Sequence, residues 1–294
     1  MLKLYHFENS VCAQKVRMTL FEKGVEWESH EVNLFANAQY DPEYLKLNPK
    51  AYVPTLIHDG HAIRESTLIC EYLDEIYPEP PLSSARPAER AQMRLWGKAV
   101  DEGLFEGVVV FSFSAMFRDR MKNQTPEQRQ QRFRNVGDAA RRDRFMSTYD
   151  DGVESPYVLR GIGAYEIAFK LMDEALAGGD DWLSDNMFSL AEINLAPFVA
   201  RLEYLQILDH WVAERPLVQN WWRRVKDRPC YQAEIATKLK QEEIDEMIES
   251  GAKISTRIGE RRQEYIAAFK DYRLGRDRTD NTLNLNPIPR TDIG

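Results

Sequence analysis

The feature that most constrains the fold of this chain is a change of pattern at about residue 80. Before it, strand-like and helix-like segments alternate in the order strand, helix, strand, helix, strand, strand, helix. After it, apolar residues keep a helical spacing and no strand-like alternation of any length follows. A βαβ unit followed by a ββα unit forms a small α/β sandwich. The chain is therefore predicted to have an α/β first domain and an all-α second domain.

Short motifs place individual elements within the first 80 residues. The run LKLYHF is typical of a strand, and Val16 and Leu20 have the spacing of a helix that Gly24 ends. Asp59 and Gly60 separate two apolar runs, and this dipeptide predicts a tight hairpin turn. The segment thus carries the turn and helix-end signals that a small α/β sandwich requires.

The linker between the two predicted domains lies in PEPPLSSARP, residues 78–87, because proline and serine favour turns. We expect an α/β domain over residues 1–80, a linker over 81–87, an all-helical domain over 88–250 and a charged extension over 251–294. The extension is compatible with a helix in its first part, and its polar end is expected to be an irregular tail. Helical patterns of the second domain lie at about residues 88–122, 126–147, 161–178, 189–209, 214–227 and 231–250.

Composition excludes several classes of function. No apolar run approaches the roughly 18 residues that a membrane helix needs, and the N-terminus lacks a signal-peptide pattern, so we expect a cytoplasmic protein with no membrane partner. Cys12, Cys70 and Cys230 lie far apart, which predicts neither a disulfide framework nor a metal site. A net charge of −8 argues against nucleic acid as a partner. The basic run RRDRF, residues 141–145, is therefore interpreted as solvated helix surface.

The stretch ENSVCAQKVR offers two candidates for chemistry, Ser10 and Cys12, at the start of the first helix. Unpaired N–H groups at a helix start stabilise an anion, and a serine hydroxyl there can donate a hydrogen bond to a thiolate. Taken alone, Ser10 is more simply an N-cap worth about 1 kcal/mol. Cys12 has the position of a thiol with lowered pKa, but a cysteine one turn into an amphipathic helix is more often a buried apolar group.

Two further motifs suit a peptide-like ligand. A cis bond between Val53 and Pro54 would turn the N–H and C=O of Val53 outward, and the sequence leaves cis and trans open. The helix start at Glu65 and Ser66 offers N–H groups for a carboxylate and a side chain for an ammonium, which together fit an α-amino-acid end. Taken alone, the start at Glu65 and Ser66 is better explained as an ordinary helix cap.

Ordered motifs give the first 80 residues a resemblance to the thioredoxin-like domain of the glutathione transferase superfamily: LKLYHFENSVCAQKVR, LNPKAYVPTLIHDG and IRESTLICEYLDEIYP. In the second domain, SLAEINLAPF resembles the buried capping box of that family, with Ser189 and Glu192 in the capping places. The segment WWRRVKDRPCYQ resembles the usual end of the family's helical domain. The resemblance covers about residues 1–235 and implies a thioredoxin-like first domain joined to an all-α second domain.

The resemblance implies a glutathione site on the first domain. Val53 would pair main chain to main chain with the cysteinyl unit of glutathione, with Pro54 cis. Glu65 and Ser66 would hold the γ-glutamyl end. Gln39 falls where the family often places a histidine or glutamine for the glycyl carboxylate.

For catalysis, the resemblance points to Ser10 rather than Cys12. Ser10 falls at the position that supports the glutathione sulfur, with Asn9 as a second donor, and Cys12 does not align with it. Tyr52, in KAYVP, replaces a more usual glycine-containing turn and is expected to shape the surroundings of the sulfur. The implied reaction is attack of the glutathione thiolate on an electrophilic carbon, with glutathione as co-substrate and no metal.

Within the superfamily the chain resembles bacterial β-etherases, which use glutathione to cleave β-aryl ethers of lignin-derived aromatic compounds. The likeness rests on ENS before the first helix, on DGHAIRESTLICEYLDEIYPE and on RAQMRLWGKAVDE. The segment at about residues 115–160 is also extended relative to compact transferases. The alternatives are general conjugation of aromatic or halogenated electrophiles, a non-catalytic binding module, and a reductase that uses Cys12.

The second substrate is expected to be a hydrophobic aromatic compound in an apolar pocket against the first long helix of the second domain. Phe105, Val109 and Phe113 share one face of that helix at i, i+4 and i+8, although core packing explains them equally well. Tyr149 and Tyr157, in the extended segment, are candidates to reach over the pocket. By likeness to the family the assembly is expected to be a homodimer, with a heterodimer as the alternative.

Overall fold

A four-stranded sheet forms the centre of the first domain in the computed structural model, which describes residues 1–122, 124–127 and 136–274. The strands are β1 (Leu2–His6), β2 (Trp27–Glu31), β3 (Thr55–His58) and β4 (His61–Ile63). Their order is β2-β1-β3-β4, and β1 pairs parallel with β2 and antiparallel with β3. Asp59 and Gly60 join β3 to β4 with φ values of 48° and 83°, so the predicted tight hairpin turn is confirmed.

Three helices complete the first domain: α1 (Val11–Lys23), α2 (Pro42–Leu47) and α3 (Ser66–Ile76). Helix α1 begins at Ser10 and ends at Gly24, whose φ of 60° is the left-handed conformation that glycine adopts freely. Helices α1 and α3 pack against each other, and their apolar residues share the main core with β1 and β3. A second, smaller core of Phe7, Val32, Tyr44 and Val53 packs beside α2.

The second domain is helical throughout the part of the chain that the structure describes, as predicted. It opens with one continuous helical segment over residues 87–122, in which two π-helical turns interrupt the α-helix. In order these pieces are α4 (Pro87–Ala99), a π-turn (Val100–Leu104), α5 (Phe105–Ser112), a π-turn (Phe113–Phe117) and α6 (Arg118–Lys122). π-Turns within α-helices are frequent at functional sites.

Seven further α-helices follow in the described residues. They are α7 (Ala139–Asp151), α8 (Pro156–Leu176), α9 (Leu190–Tyr204), α10 (Asp209–Val212), α11 (Pro216–Lys226), α12 (Pro229–Tyr231) and α13 (Gln241–Leu274). The helical pattern predicted at 126–147 falls partly on residues 128–135, which lie outside the described residues.

Helix α9 is the buried centre of the second domain. Almost every side chain over residues 190–202 is inaccessible to solvent. Ser189 and Glu192 form the predicted capping box: Glu192 accepts hydrogen bonds from the Ser189 N–H (2.9 Å) and hydroxyl (2.8 Å), and Ser189 Oγ accepts one from Ala191 N (3.1 Å). Glu192 also accepts from Leu183 N (2.7 Å), so the carboxylate satisfies the helix start and the loop before it.

The long helix α13 runs through residue 250, where the sequence suggested a change from domain to extension. Arg262 bonds Glu166 at 2.6 Å and Ser255 bonds His210 at 3.0 Å, so the helix is docked along the domain. A β-carbon at Gly251 would overlap the carbonyl group of Leu205, and glycine therefore permits this close backbone contact. The tail expected to be irregular, from residue 275 on, lies outside the described residues.

Among the helices that the structure describes, none combines the length and the apolar character needed to cross a membrane.

Candidate glutathione and substrate site

A cavity of about 230 Å³ lies between the two domains. Its first-domain side is formed by the loop from β1 into α1 and by the turn at residues 51–53. Its second-domain side is formed by α5, the π-turn after it and α7. The apolar part of the wall is largely aromatic and includes Phe7, Phe35, Phe105, Phe113, Phe117 and Phe145.

Ser10 stands at the polar end of this cavity, at the start of α1. Its Oγ accepts a hydrogen bond from Ala13 N (3.4 Å), so the predicted N-cap is confirmed. The hydroxyl hydrogen has no acceptor among the described residues and is available to a ligand. The N–H groups of the first turn of α1 add a partial positive charge at the same place. The two explanations offered for Ser10, cap and anion donor, are therefore compatible.

Asn9 lines the cavity beside Ser10 and is held from both sides. Its backbone carbonyl accepts from Arg201 (2.7 Å), and its side-chain oxygen accepts from the same guanidinium. Its amide nitrogen donates one hydrogen bond to Glu243 of α13 (3.0 Å). Only the second N–H of this amide remains for a ligand.

Arg201 is a lining residue that the sequence analysis did not single out. It lies on the buried helix α9, is 7% exposed, and also donates to Ser112 Oγ at 3.3 Å. Burial lowers the pKa of its guanidinium to about 10, so it stays charged at neutral pH. The signal in the sequence was an arginine within the apolar run LAPFVARL, since a charge on a buried helix needs a partner or a function.

Cys12 lines the cavity but does not have the properties of a reactive thiol. Burial raises the pKa of its thiol, and the hydrogen bond with Ser66 compensates only in part. The thiol therefore stays protonated at neutral pH, which argues against Cys12 as a nucleophile. Cys70 and Cys230 are buried, and all three cysteines are unpaired.

The turn before β3 presents the main chain of Val53 beside the cavity. The Val53–Pro54 bond is cis, as the resemblance implied. The carbonyl of Tyr52 is fixed by Tyr44 Oη (2.5 Å) and by Asn48 Nδ2 (3.0 Å). No backbone hydrogen bond within the described residues uses the N–H or C=O of Val53, so both groups are available to a ligand.

Gln39 carries an unsatisfied buried group. Its side chain lines the cavity and is 7% exposed, yet its Oε1 has no hydrogen-bond partner among the described residues. A buried amide oxygen without a partner is unfavourable. Gln39 is therefore placed to bind a polar ligand group.

Glu65 and Ser66 begin α3 outside the cavity lining, and Pro54 also lies outside it. Glu65 has φ 66° and ψ 109°, a strained backbone for a residue with a side chain, and such strain is concentrated at functional sites. Its carboxylate pairs with Lys50 at 2.6 Å and is half exposed. Ser66 is buried at the first turn, where helix N–H groups face outward.

Three residues predicted for the pocket wall, Phe105, Val109 and Phe113, all line the cavity. They also pack into the core, and Phe113 is only 3% exposed. The ring of Tyr52 meets that of Phe105 edge to face at 5.8 Å, so the two domains are in contact at the cavity wall.

The interpretation of RRDRF as solvated surface is wrong for three of its five residues. From α7, Arg141, Arg144 and Phe145 all line the cavity, and Arg144 is 5% exposed. Neither Tyr149 nor Tyr157, the residues expected to reach over the pocket from this segment, belongs to the lining. The error arose because α7 turns its basic face inward, and only the packing of the helix against α5 decides which face is buried.

Comparison with known proteins gives the family. Residues 4–81 match the glutathione S-transferase N-terminal domain and residues 146–229 match the C-terminal domain. Over 103 residues the chain is 45% identical to Protein LigF of Sphingobium sp. (strain NBRC 103272 / SYK-6), a match that covers 34% of this chain and 40% of that relative. It is 26% identical over 237 residues to glutathione S-transferase TCHQD of Arabidopsis thaliana, covering 78% of this chain and 88% of that one.

A solved structure extends the likeness to the whole fold. The crystal structure of the β-etherase LigF from Sphingobium sp. strain SYK-6 superposes with a TM-score of 0.71 and 27% identity, over 80% of this chain and 99% of that chain. The fold, a thioredoxin-like first domain joined to a helical second domain, is thus that of a glutathione transferase. The chain belongs to the glutathione S-transferase superfamily, which implies glutathione as its co-substrate.

Proposed function

We propose that this glutathione transferase cleaves β-aryl ethers of lignin-derived aromatic compounds. The observation that carries the proposal is a cavity that joins the start of α1, where Ser10 lies, to a wall of phenylalanine side chains. A polar end for a sulfur and an apolar end for an aromatic ring are what this displacement requires. The likeness to the β-etherase LigF supports the same substrate class.

Glutathione is proposed to lie along the first domain. The free N–H and C=O of Val53 pair with the cysteinyl unit, and Gln39 binds the glycyl carboxylate through its amide N–H. Glu65 holds the γ-glutamyl ammonium, which takes the place that Lys50 Nζ occupies at 2.6 Å. The side chain and N–H groups at Ser66 bind the γ-glutamyl carboxylate.

The sulfur is proposed to lie against Ser10. The hydroxyl donates to the thiolate, the first turn of α1 supplies a partial positive charge, and Asn9 offers its remaining N–H. The charged Arg201, 2.7 Å from the Asn9 carbonyl, strengthens the positive potential. These groups lower the pKa of the bound thiol and raise the fraction of thiolate at neutral pH.

The reaction is a displacement in which electrons and atoms balance. The thiolate forms a sulfur–carbon bond at the carbon that bears the ether oxygen, and the carbon–oxygen bond breaks. The aryloxide leaves with the bonding electron pair and takes a proton from water. The protein contributes positioning and stabilisation of the thiolate, because the second substrate stacks in the wall of Phe105 and Phe113 while the sulfur is held at Ser10.

The test is incubation with glutathione and a β-aryl ether that releases a fluorescent phenol, beside a halogenated nitroaromatic acceptor. Phenol release that depends on glutathione supports the proposal. Activity on the nitroaromatic acceptor alone makes the protein a general conjugating transferase. Binding of glutathione without turnover of either compound favours a non-catalytic module, and a mixed disulfide at Cys12, detected by intact mass, favours a reductase.

The assembly is proposed to be a homodimer, as the family likeness suggests. Analytical ultracentrifugation of the purified chain tests this, since a mass of one chain at micromolar concentration contradicts it. A heterodimer requires a second chain in the source organism and is tested by co-purification.

A further inference from the structure

The described charged residues of the cavity wall are all positively charged. Three guanidinium groups line it, those of Arg141, Arg144 and Arg201, and no aspartate or glutamate belongs to the lining within the described residues. Arg201 already donates to Asn9 and Ser112. The two arginines of α7 also have partners, but each keeps one buried N–H without an acceptor among the described residues.

Arg144 is buried with an unused donor. It is 5% exposed, and one terminal nitrogen forms an ion pair with Glu106, a half-exposed residue outside the lining. Its Nε is buried and has no hydrogen-bond partner among the described residues. A buried N–H without an acceptor is unfavourable, so the site is suited to a ligand acceptor.

Arg141 has a similar unused donor. Its guanidinium carbon lies 4.0 Å from the ring centre of Tyr52, and one terminal nitrogen donates to the carbonyl of Lys50 (3.1 Å). Its Nε is also buried without a partner in the described part of the chain. The contact with Tyr52 holds the guanidinium at the cavity but supplies no hydrogen-bond acceptor for its Nε.

The two guanidinium groups lie beside the same aromatic ring, that of Phe145. The guanidinium carbons of Arg141 and Arg144 each lie 5.8 Å from the ring centre of Phe145, and that ring contacts Phe113 at 5.4 Å. Glu106 balances one of the two charges, so one positive charge remains beside an aromatic wall. Two guanidinium groups suit a planar carboxylate, because each of its two oxygens can accept hydrogen bonds from guanidinium N–H groups.

We propose that the electrophilic substrate is an aromatic compound carrying a carboxylate, which Arg141 and Arg144 bind. This specifies the proposed function further and rests on it, since it names the class of compound that reacts with glutathione. The groups proposed for glutathione lie on the first domain, whereas both arginines stand on second-domain helix α7 beside the aromatic wall. Because Phe145 of the aromatic wall stands on the same helix, we assign the carboxylate to the second substrate, and the KM for glutathione in the two arginine variants tests that assignment.

The test compares a pair of β-aryl ethers, one with a carboxylate on the arene and one with the uncharged primary amide in its place. We expect the wild-type kcat/KM to be about 10- to 100-fold higher for the carboxylate, the effect of charged hydrogen bonds. Arg144→Met and Arg141→Met are expected to lose most of this preference while the KM for glutathione changes by less than about threefold. Arg160→Met is the matched control, because Arg160 is an exposed residue of α8 packed on Tyr157.

Equal wild-type kcat/KM for the two ethers overturns the proposal. A loss of glutathione affinity in Arg141→Met or Arg144→Met with the preference unchanged also overturns it, and assigns the arginines to a glutathione carboxylate. The same carboxylate and amide pair on a halogenated nitroaromatic acceptor separates this proposal from ether cleavage, since the preference remains measurable if no ether reacts.

A binding measurement on the wild-type protein tests the proposal even if the arginine variants fail to fold. Calorimetry of the wild-type protein with glutathione present compares benzoate with benzamide, neither of which reacts. Binding of benzoate at least about tenfold tighter supports the carboxylate subsite, and equal affinity contradicts it.

Discussion

At the scale of single residues, the groups around the proposed sulfur position differ in whether they can still interact with a bound thiolate. Ser10 uses its oxygen as a cap acceptor and keeps its hydrogen for a ligand. Cys12 lies two residues on, but burial raises its pKa and removes it from thiolate chemistry at neutral pH. The sequence favoured Ser10 over Cys12 only through the family likeness. The structure adds a physical reason to the same preference.

Ser10→Ala is expected to lower kcat by roughly 100-fold at saturating glutathione, because one donor to the developing charge is lost. The pKa of bound glutathione, read from the ultraviolet absorbance of its thiolate, should rise in the variant. Loss of the cap lowers stability by about 1 kcal/mol as well, so kcat is compared well below the melting temperature. Unchanged kcat and thiol pKa would exclude Ser10 from the reaction, and Ser10→Thr, which keeps the hydroxyl, should retain more activity.

His6 predicts a pH dependence of stability. Burial and Arg17 lower the pKa of its imidazole from 6.5 to about 4, so the folded state holds it neutral. The unfolded state therefore binds the proton more readily. Folding is therefore more favourable where His6 is neutral in both states, above about pH 6.5. As the pH falls towards 4, protonation of the unfolded state lowers the free energy of unfolding by up to about 3 kcal/mol.

Urea unfolding of wild type and His6→Gln between about pH 7 and pH 5 measures this effect. The wild type should lose more unfolding free energy over that range than the variant does. The comparison with the variant is needed because other groups also make stability depend on pH. Burial raises the pKa values of Glu192 and Glu234, and these carboxyl groups favour the folded state as the pH falls. Parallel pH profiles would show that His6 does not titrate on unfolding.

At the scale of elements, the sequence predicted where helices begin and end better than it predicted which face of a helix is buried. The start of α1 at Ser10, its end at Gly24 and the capping box of α9 all follow from short local motifs. Such motifs act through hydrogen bonds within a few residues. The face that α7 buries depends on what packs against it, and its basic run was therefore misassigned.

Ser189→Ala is expected to lower the free energy of unfolding by about 1–3 kcal/mol, because a cap and a donor to the buried Glu192 carboxylate are lost together. Asp41→Ala is the matched control, since Asp41 caps the short helix α2 at an exposed position. Urea denaturation measures both variants. Equal losses would mean that the burial of the capping box adds nothing to its strength.

At the scale of the whole molecule, helix α13 connects the end of the described chain to the proposed sulfur site. Glu243 in its first turn accepts from Asn9, 234 residues earlier in the sequence. Arg201 holds the other side of Asn9 from α9. The loop that carries Ser10 is thus held by two helices of the second domain. The division into domains at residues 81–87 stays a prediction.

Glu243→Ala is expected to lower kcat by about threefold to tenfold, because the loop before α1 loses one of its two supports and small displacements slow a positioned reaction. Glu249→Ala serves as the control, since Glu249 is exposed on the same helix and pairs only locally with Lys253. Steady-state kinetics with the halogenated nitroaromatic acceptor measures both. A kcat for Glu243→Ala equal to that of Glu249→Ala would contradict a role for α13 at the site.

The sequence by itself determined the order of strands and helices, the hairpin at Asp59 and Gly60, the helix caps and the class of fold. These depend on backbone preferences and contacts between near neighbours in the chain. Only the tertiary structure decided that Arg141 and Arg144 face the cavity, that Arg201 and Glu243 hold Asn9, and that α13 continues past residue 250. Those features involve contacts between residues 38 to 234 positions apart, and their energies arise from packing and burial, which no local pattern records.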